Sequence, residues 1–77
     1  MDKGITVKKL LDMCNEQVKK GNGNKHILIS DDDEGNGFHT LFYGISDDKE
    51  SCKYAIELSY DDHDVNDIVV LGWWKEN

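Results

Sequence analysis

The sequence contains no arginine and no proline, and only two of its 77 residues are cysteine. Arginine supplies the planar fork that recognises phosphates and base edges, so its absence argues against sequence-specific binding to nucleic acid. Cys14 and Cys52 are too far apart and too few to form a disulfide framework or a zinc site of the usual spacing. There is no run of eighteen apolar residues, and the N-terminus lacks the apolar stretch of a signal peptide. We therefore predict one small soluble domain over residues 1–77, with free thiols, no membrane contact and a cytoplasmic location.

The charges are divided unevenly along the chain. Residues 1–25 hold six lysines against three acids, a net +3, whereas residues 26–77 hold three lysines against thirteen acids, a net −10. An acidic body is repelled by a phosphate backbone and attracts cations or basic surfaces. The charge pattern therefore favours a basic protein partner, or a cation, over direct nucleic-acid contact. No cofactor is predicted.

Periodicity of the apolar residues indicates the fold class. Thr6 can cap a helix that ends before Gly21, which predicts a helix over residues 6–20. Strands are predicted at residues 25–30, 38–45, 54–60 and 67–74. The helix needs a surface for its apolar stripe, so we predict an α+β fold with one N-terminal helix packed on a mainly antiparallel sheet of three to four strands. The predicted stripe, which places Cys14 in the core, consists of Val7, Leu10, Leu11, Cys14 and Val18.

The most distinctive segment runs from Ser30 to His39 and contains four consecutive carboxylates followed by Gly-Asn-Gly. Like charges so close repel, so the segment should lie in solvent, bind a cation or face a basic partner. The simplest structure is a hairpin loop braced by Asp and Asn side chains, with glycines in left-handed conformations. In an up-and-down meander, this loop and the loop 61–67 would share one end of the sheet. That end would gather Asp31, Asp32, Asp33, Glu34, Asp61, Asp62, Asp64 and Asp67.

Part of this segment imitates a calcium-binding loop. Asp32, Glu34 and Asn36 stand at alternate positions and Gly37 follows, as in the first half of such a loop. The twelfth position is Tyr43, where a bidentate Glu is required, and strands rather than helices flank the segment. The sequence therefore predicts no specific metal site, with Asp32, Glu34 and Asn36 as weak candidate ligands.

Two histidines invite a catalytic interpretation. His39 and His63 lie near aspartates, which resembles part of a base and its orienting carboxylate. None of the serines has the sequence context of an activated nucleophile. We therefore predict that the protein is not an enzyme.

The pair Trp73-Trp74 is the other distinctive feature. Side chains of neighbouring strand residues point to opposite faces, so one ring can join the core while the other needs a cover. Exposed tryptophan is enriched at binding hot spots, although both rings could also pack against the helix or the sheet edge. The candidate partner-binding residues are therefore Asp31, Asp32, Asp33, Glu34, Asp61, Asp62, Asp64, Trp73 and Trp74.

Residues 6–11, 27–39 and 68–72 resemble a family of small uncharacterised proteins from bacteriophages and prophages, and the acidic motif from Ser30 to His39 is the specific part of the resemblance. The resemblance implies a phage-encoded accessory protein that acts in the host cytoplasm and assigns no role to any residue. By analogy of size and charge, such a protein could inhibit a host defence component, as an anti-CRISPR-like or nucleic-acid-mimicking protein. Two alternatives stay open: a cation- or small-ligand-binding module on the acidic loops, and a structural or assembly accessory of the phage. The chain could be a monomer or a homodimer.

Overall fold

A computed structural model describes residues 3–73 and confirms the α+β class. The elements are two helices, a short 3-10 helix and four strands. In chain order they are α1 (Val7–Lys19), β1 (Leu28–Ser30), β2 (Phe38–Thr40), β3 (Ile45–Ser46), α2 (Lys49–Leu58), the 3-10 helix (Val65–Asp67) and β4 (Val70–Leu71).

The first helix forms as its sequence predicts, to within one residue at each end. The Thr6 hydroxyl oxygen accepts a hydrogen bond from a first-turn amide at 3.1 Å, which satisfies one of the donors that a helix start leaves unpaired. At the other end Gly21 adopts a φ of +88°, and its amide donates to the Val18 carbonyl at 3.0 Å. The Asn22 amide donates to the Gln17 carbonyl at 3.0 Å. These two bonds complete a Schellman motif, which explains why the helix stops at the glycine.

The four strands are antiparallel, as predicted, but they form two separate two-stranded sheets. β1 pairs with β2, with Ile29 opposite His39, and the loop 31–37 joins them. β3 pairs with β4, with Ile45 opposite Leu71. Packing of a helix on a sheet is present in rough form, since α2 contacts β4. The single meander with four consecutive strands, however, does not form.

The meander fails because residues 49–58 are helical, so the prediction of a strand at 54–60 is wrong. Asp48 caps α2: its Oδ2 atom accepts hydrogen bonds from the amide and from the hydroxyl of Ser51, both at 3.0 Å. A carboxylate that pairs with two first-turn donors stabilises the helix start. This local cap outweighs the alternation of apolar and polar residues that suggested a strand.

Burial along α2 follows helical spacing. Cys52 is 1% exposed, and Ala55 and Ile56, three and four residues later, are half-buried on the same side. Tyr54 and Leu58, which a strand would have turned inward with Ile56, are 52% and 64% exposed. The alternation of apolar and polar residues over 54–60 therefore did not identify the buried face of this segment.

The core of the described residues is small. Cys52 is their only fully buried apolar side chain, and its Sγ atom lies 3.7 Å from the Ile68 carbonyl oxygen. The other buried side chains are the polar Ser46 and Ser51. Cys52 lies in a polar stretch of the sequence, so its burial is evident only once residues 49–58 are known to be helical.

The apolar stripe of α1 is mostly in solvent. Leu10 is half-buried, whereas Val7, Leu11, Cys14 and Val18 are exposed. The expectation that Cys14 lies in the core is therefore wrong. The physical reason is that α1 shares no extensive packing with any other described helix or strand.

Candidate functional site: an acidic hairpin loop

The acidic loop, residues 31–37, connects β1 to β2. Its ends are tied by a hydrogen bond of 2.9 Å from the Asp31 amide to the Gly37 carbonyl. Gly35 has a φ of +73°, a left-handed conformation that a residue with a Cβ adopts only with strain. The expected hairpin loop is therefore present, but only Gly35 of its two glycines is left-handed, since Gly37 has no positive φ.

Asp32 braces the loop from inside. Its Oδ1 atom accepts from the amides of Glu34 and Asn36, at 3.0 and 3.1 Å, and its Oδ2 atom accepts from the Asn36 side chain at 2.9 Å. The Asn36 side chain, followed by the Asn36 amide, holds the pKa of Asp32 below its ordinary value, because these donors favour the charged carboxylate. The Ser30 hydroxyl donates to the Asp32 carbonyl and fixes the same turn. The loop therefore has a defined shape while Asp32 is ionised.

Asp31 is held by a histidine across the hairpin. Its Oδ1 atom lies 2.7 Å from Nδ1 of His39 on β2, and both side chains are more than half exposed. Gly37 makes this placement possible, because a Cβ at position 37 would lie only 2.5 Å from the other Asp31 carboxylate oxygen. The role of Gly37 is thus to give room to a carboxylate, which sequence reasoning did not identify.

Asp33 and Glu34 behave differently from the two preceding acids. Both side chains are exposed, and neither makes a hydrogen bond or ion pair through its carboxylate within residues 3–73. The four consecutive carboxylates therefore divide into two pairs. Asp31 and Asp32 organise the loop, and Asp33 and Glu34 present their charge to solvent.

The second predicted acidic segment follows α2. Asp61 and Asp62 are exposed, whereas Asp64 caps the 3-10 helix by accepting from the Asn66 amide at 2.8 Å. The Asn66 side chain in turn accepts from Nζ of Lys49 at 2.7 Å, which ties the segment to the start of α2. In an up-and-down meander, this segment and the acidic loop would share one end of the sheet. That argument requires a strand at residues 54–60, and it does not apply because α2 occupies this part of the chain.

The loop does not have the arrangement of a cation site. Residues 3–73 include no group of three or more His, Cys, Asp or Glu side chains placed to hold a metal ion. Asp32 and Asn36, which a calcium loop would use as separate ligands, are hydrogen-bonded to each other. A cation at Asp32 would have to displace the bonds that shape the loop.

The Asp31–His39 pair has the geometry of an imidazole and an orienting carboxylate, but it has no described nucleophile. Within residues 3–73, no serine or cysteine is hydrogen-bonded to the His39 ring. The pair therefore joins the loop to β2.

Trp73 is half-buried, and its ring centroid lies 5.3 Å from that of Tyr54 on α2 at an interplanar angle of 41°. This tilted contact is favourable between aromatic rings. Sequence reasoning missed it because it placed Tyr54 on a strand. Trp73 is thus partly used inside the molecule, and Trp74 lies outside the described residues.

No protein-family model matches the chain, and the comparisons with curated proteins and with solved structures give no match. The resemblance to phage and prophage proteins therefore stays a prediction. No helix within residues 3–73 is long and apolar enough to cross a lipid bilayer.

Proposed function

We propose that this protein is a small acidic binding module that uses its acidic loop to engage a basic surface on a host or defence protein. One observation carries the proposal. The loop is held in shape by Asp32, and it leaves the carboxylates of Asp33 and Glu34 without a partner among the described residues. A binding element that is already ordered loses less conformational entropy when it meets its partner.

The net charge of the protein supports a basic partner. The chain carries a formal charge of −7. The electrostatic field of this charge attracts a basic surface and raises the rate of association. Added salt screens the field and weakens it. Carboxylates also accept hydrogen bonds from the Lys and Arg side chains that bind phosphates. The acidic loop could therefore occupy a site that a host protein uses for nucleic acid.

The alternatives have less support. A cation-binding module would need the oxygens of Asp32, which already accept three hydrogen bonds inside the loop. Covalent catalysis would need a nucleophile beside His39, and no serine or cysteine of residues 3–73 is hydrogen-bonded to its ring. We therefore propose binding rather than catalysis or metal chemistry.

The test uses two double variants with the same change of charge. Asp33→Asn/Glu34→Gln removes the carboxylates that face solvent, and Asp12→Asn/Glu16→Gln removes two exposed acids from α1. Proteins captured from bacterial lysate by the wild type are identified by mass spectrometry, and the purified partner is then titrated by calorimetry. We expect the loop variant to weaken binding by about tenfold or more, with the α1 variant close to the wild type.

Salt provides the second arm of the test. Binding should weaken between about 50 mM and about 500 mM sodium chloride, because the Debye length shortens over this range. An affinity that is the same for both variants, or that does not change with salt, would show that the acidic loop is not the recognition element. A third variant, Asp61→Asn/Asp62→Asn, measures whether the second acidic segment contributes to the same field.

A further inference from the structure

The same tripeptide, Gly-Asn-Gly, occurs at residues 21–23 and again at residues 35–37. An asparagine followed by glycine is prone to deamidation, because glycine has no side chain to obstruct the approach of its amide nitrogen to the asparagine side chain. Both tripeptides begin with a left-handed glycine, with a φ of +88° at Gly21 and +73° at Gly35. The residues that flank the two asparagines are identical, so a large difference in their reactivity would come from the fold.

The attacking group is available at both sites. Neither the Gly23 amide nor the Gly37 amide donates a hydrogen bond within residues 3–73. Gly23 and Asn36 are exposed, and Asn22 and Gly37 are half-buried, so solvent reaches both tripeptides. Neither access nor the attacking nitrogen therefore separates the two sites.

The two asparagine side chains are held by different acceptors. Nδ2 of Asn22 donates to Oε1 of Gln17 at 2.8 Å, which is a bond between neutral groups. Nδ2 of Asn36 donates to Oδ2 of Asp32 at 2.9 Å, and that acceptor is a carboxylate. A hydrogen bond to an ionised group is roughly twice as strong as one between neutral groups. The side chain has to rotate toward the next amide before it can react, so Asn36 has the stronger bond to break.

Nearby charges act in the same direction. Ring closure requires the glycine amide to lose a proton, and it places negative charge on the asparagine side-chain oxygen. Lys20 and Lys25 lie within three positions of Asn22 along the chain. The Asp31 carboxylate lies so close to Gly37 that a Cβ there would be 2.5 Å from its Oδ2 atom. Cations favour the developing negative charge and carboxylates oppose it, so the reaction is favoured at Asn22.

We propose that Asn22 is the deamidation site of the folded protein and that Asp32 protects Asn36 from the same reaction. The Gly23 nitrogen gives its proton to hydroxide and attacks Cγ of Asn22, which forms a succinimide ring through a new N–Cγ bond. The Cγ–Nδ2 bond breaks, and Nδ2 takes a proton from water and leaves as ammonia. Water then opens the ring and gives aspartate or isoaspartate at this position. The proposal is independent of the binding function proposed for the acidic loop.

The reaction at Asn22 changes the end of α1 and leaves the acidic loop intact. It places a carboxylate just after the last turn of α1, where the helix dipole disfavours negative charge. At Asn36 the same reaction would set a second carboxylate against Asp32 and break the bond that braces the loop. The hydrogen bond between Asp32 and Asn36 therefore both shapes the loop and preserves it.

Peptide mass spectrometry of the full chain, kept in mildly alkaline buffer, measures both rates in one sample. Each product is heavier because OH replaces NH2, and isoaspartate peptides separate from aspartate peptides in chromatography. We expect native protein to react about tenfold faster at Asn22 than at Asn36, and we expect the two rates to converge in concentrated urea. Equal native rates, or a faster reaction at Asn36, would overturn the proposal. A tenfold ratio that persists in urea would also overturn it, since the fold would not be the cause.

Three single variants identify the groups responsible. Asp32→Ala removes the acceptor of the Asn36 side chain, and Asp33→Ala removes a neighbouring charge without removing a carboxylate hydrogen bond. Asp32→Ala should raise the rate at Asn36 by about tenfold or more, and Asp33→Ala should leave it near the wild-type rate. Gly23→Ala should slow the reaction at Asn22, and the fold tolerates it because a Cβ there makes only ordinary contacts. An unchanged rate in Asp32→Ala, or equal effects of the two loop variants, would refute the role of Asp32.

Discussion

Replacing Asp48 by Ala should destabilise the protein strongly, because this carboxylate both caps α2 and satisfies a buried hydroxyl. Its Oδ2 atom accepts from the Ser51 amide and from the Ser51 hydroxyl, each at 3.0 Å, and Ser51 is 1% exposed. Asp48→Ala therefore removes the cap and also leaves the hydroxyl without its acceptor. Asp48→Asn should be tolerated, because an amide oxygen can still accept both bonds.

The size of the effect follows from these two losses. Loss of an N-cap costs about 1 kcal/mol, and a buried donor left without a partner costs about 1–3 kcal/mol. Together they lower the free energy of unfolding by about 2–4 kcal/mol, which corresponds to a fall of about 10–25 °C in Tm for a domain of this size. Asp48→Asn should stay within about 1 kcal/mol of the wild type, since Asn is an equally good N-cap.

Urea unfolding followed by circular dichroism, at one fixed protein concentration, measures these differences. Asp47→Ala is the matched control, because Asp47 is the neighbouring acid and is exposed. The reasoning fails if Asp48→Ala and Asp47→Ala unfold at the same urea concentration. That result would also contradict the helix over residues 49–58, whose start depends on this cap.

Three further predictions concern the loop and the thiols. Because the folded pKa of Asp32 lies below its ordinary value near 3.8, the bracing of the loop should persist above that pH and be lost as pH falls through the folded pKa. The chemical shifts of the Glu34 and Asn36 amides, which donate to Asp32, should change more across this transition in the wild type than in Asp32→Asn. Gly37→Ala should push the neighbouring carboxylate away from His39, seen as a change in the His39 ring resonances, whereas unchanged resonances would show that the loop yields elsewhere. In a Cys14→Ser variant, Cys52 should react with iodoacetamide only on unfolding, because it is 1% exposed; rapid labelling under native conditions would contradict the core.

The bounds of α1 were predictable because all the determinants lie close together in the chain. Thr6 at one end and Gly21 at the other act through hydrogen bonds to residues three to five positions away. The turn at the acidic loop was predictable for the same reason, since Asp32 and Asn36 pair across four positions. Sequence patterns predict such local interactions well, because the donor and the acceptor lie within a few residues of each other.

The sequence of the second helix fits two different secondary structures. Residues 54–60 alternate like a strand, while Asp48, Cys52, Ala55 and Ile56 fit a capped helix. The choice depends on which face finds cover, and that cover comes from Ile68 and β4, far along the chain. Neither short pattern contains this information.

The acidic character, the N-terminal helix, the hairpin loop and the α+β class follow from residue identity and short-range patterns. The pairing of Asp31 with His39, the burial of Cys52 rather than Cys14 and the division of the strands into two sheets became known only from the folded structure. Charge and capping depend on residue identity and near neighbours, which the sequence contains. Burial depends on contacts between segments far apart in the chain, such as Cys52 with Ile68, which exist only once the chain has folded. The role of Asp31 likewise depends on its contact with His39 on the opposite strand of the hairpin.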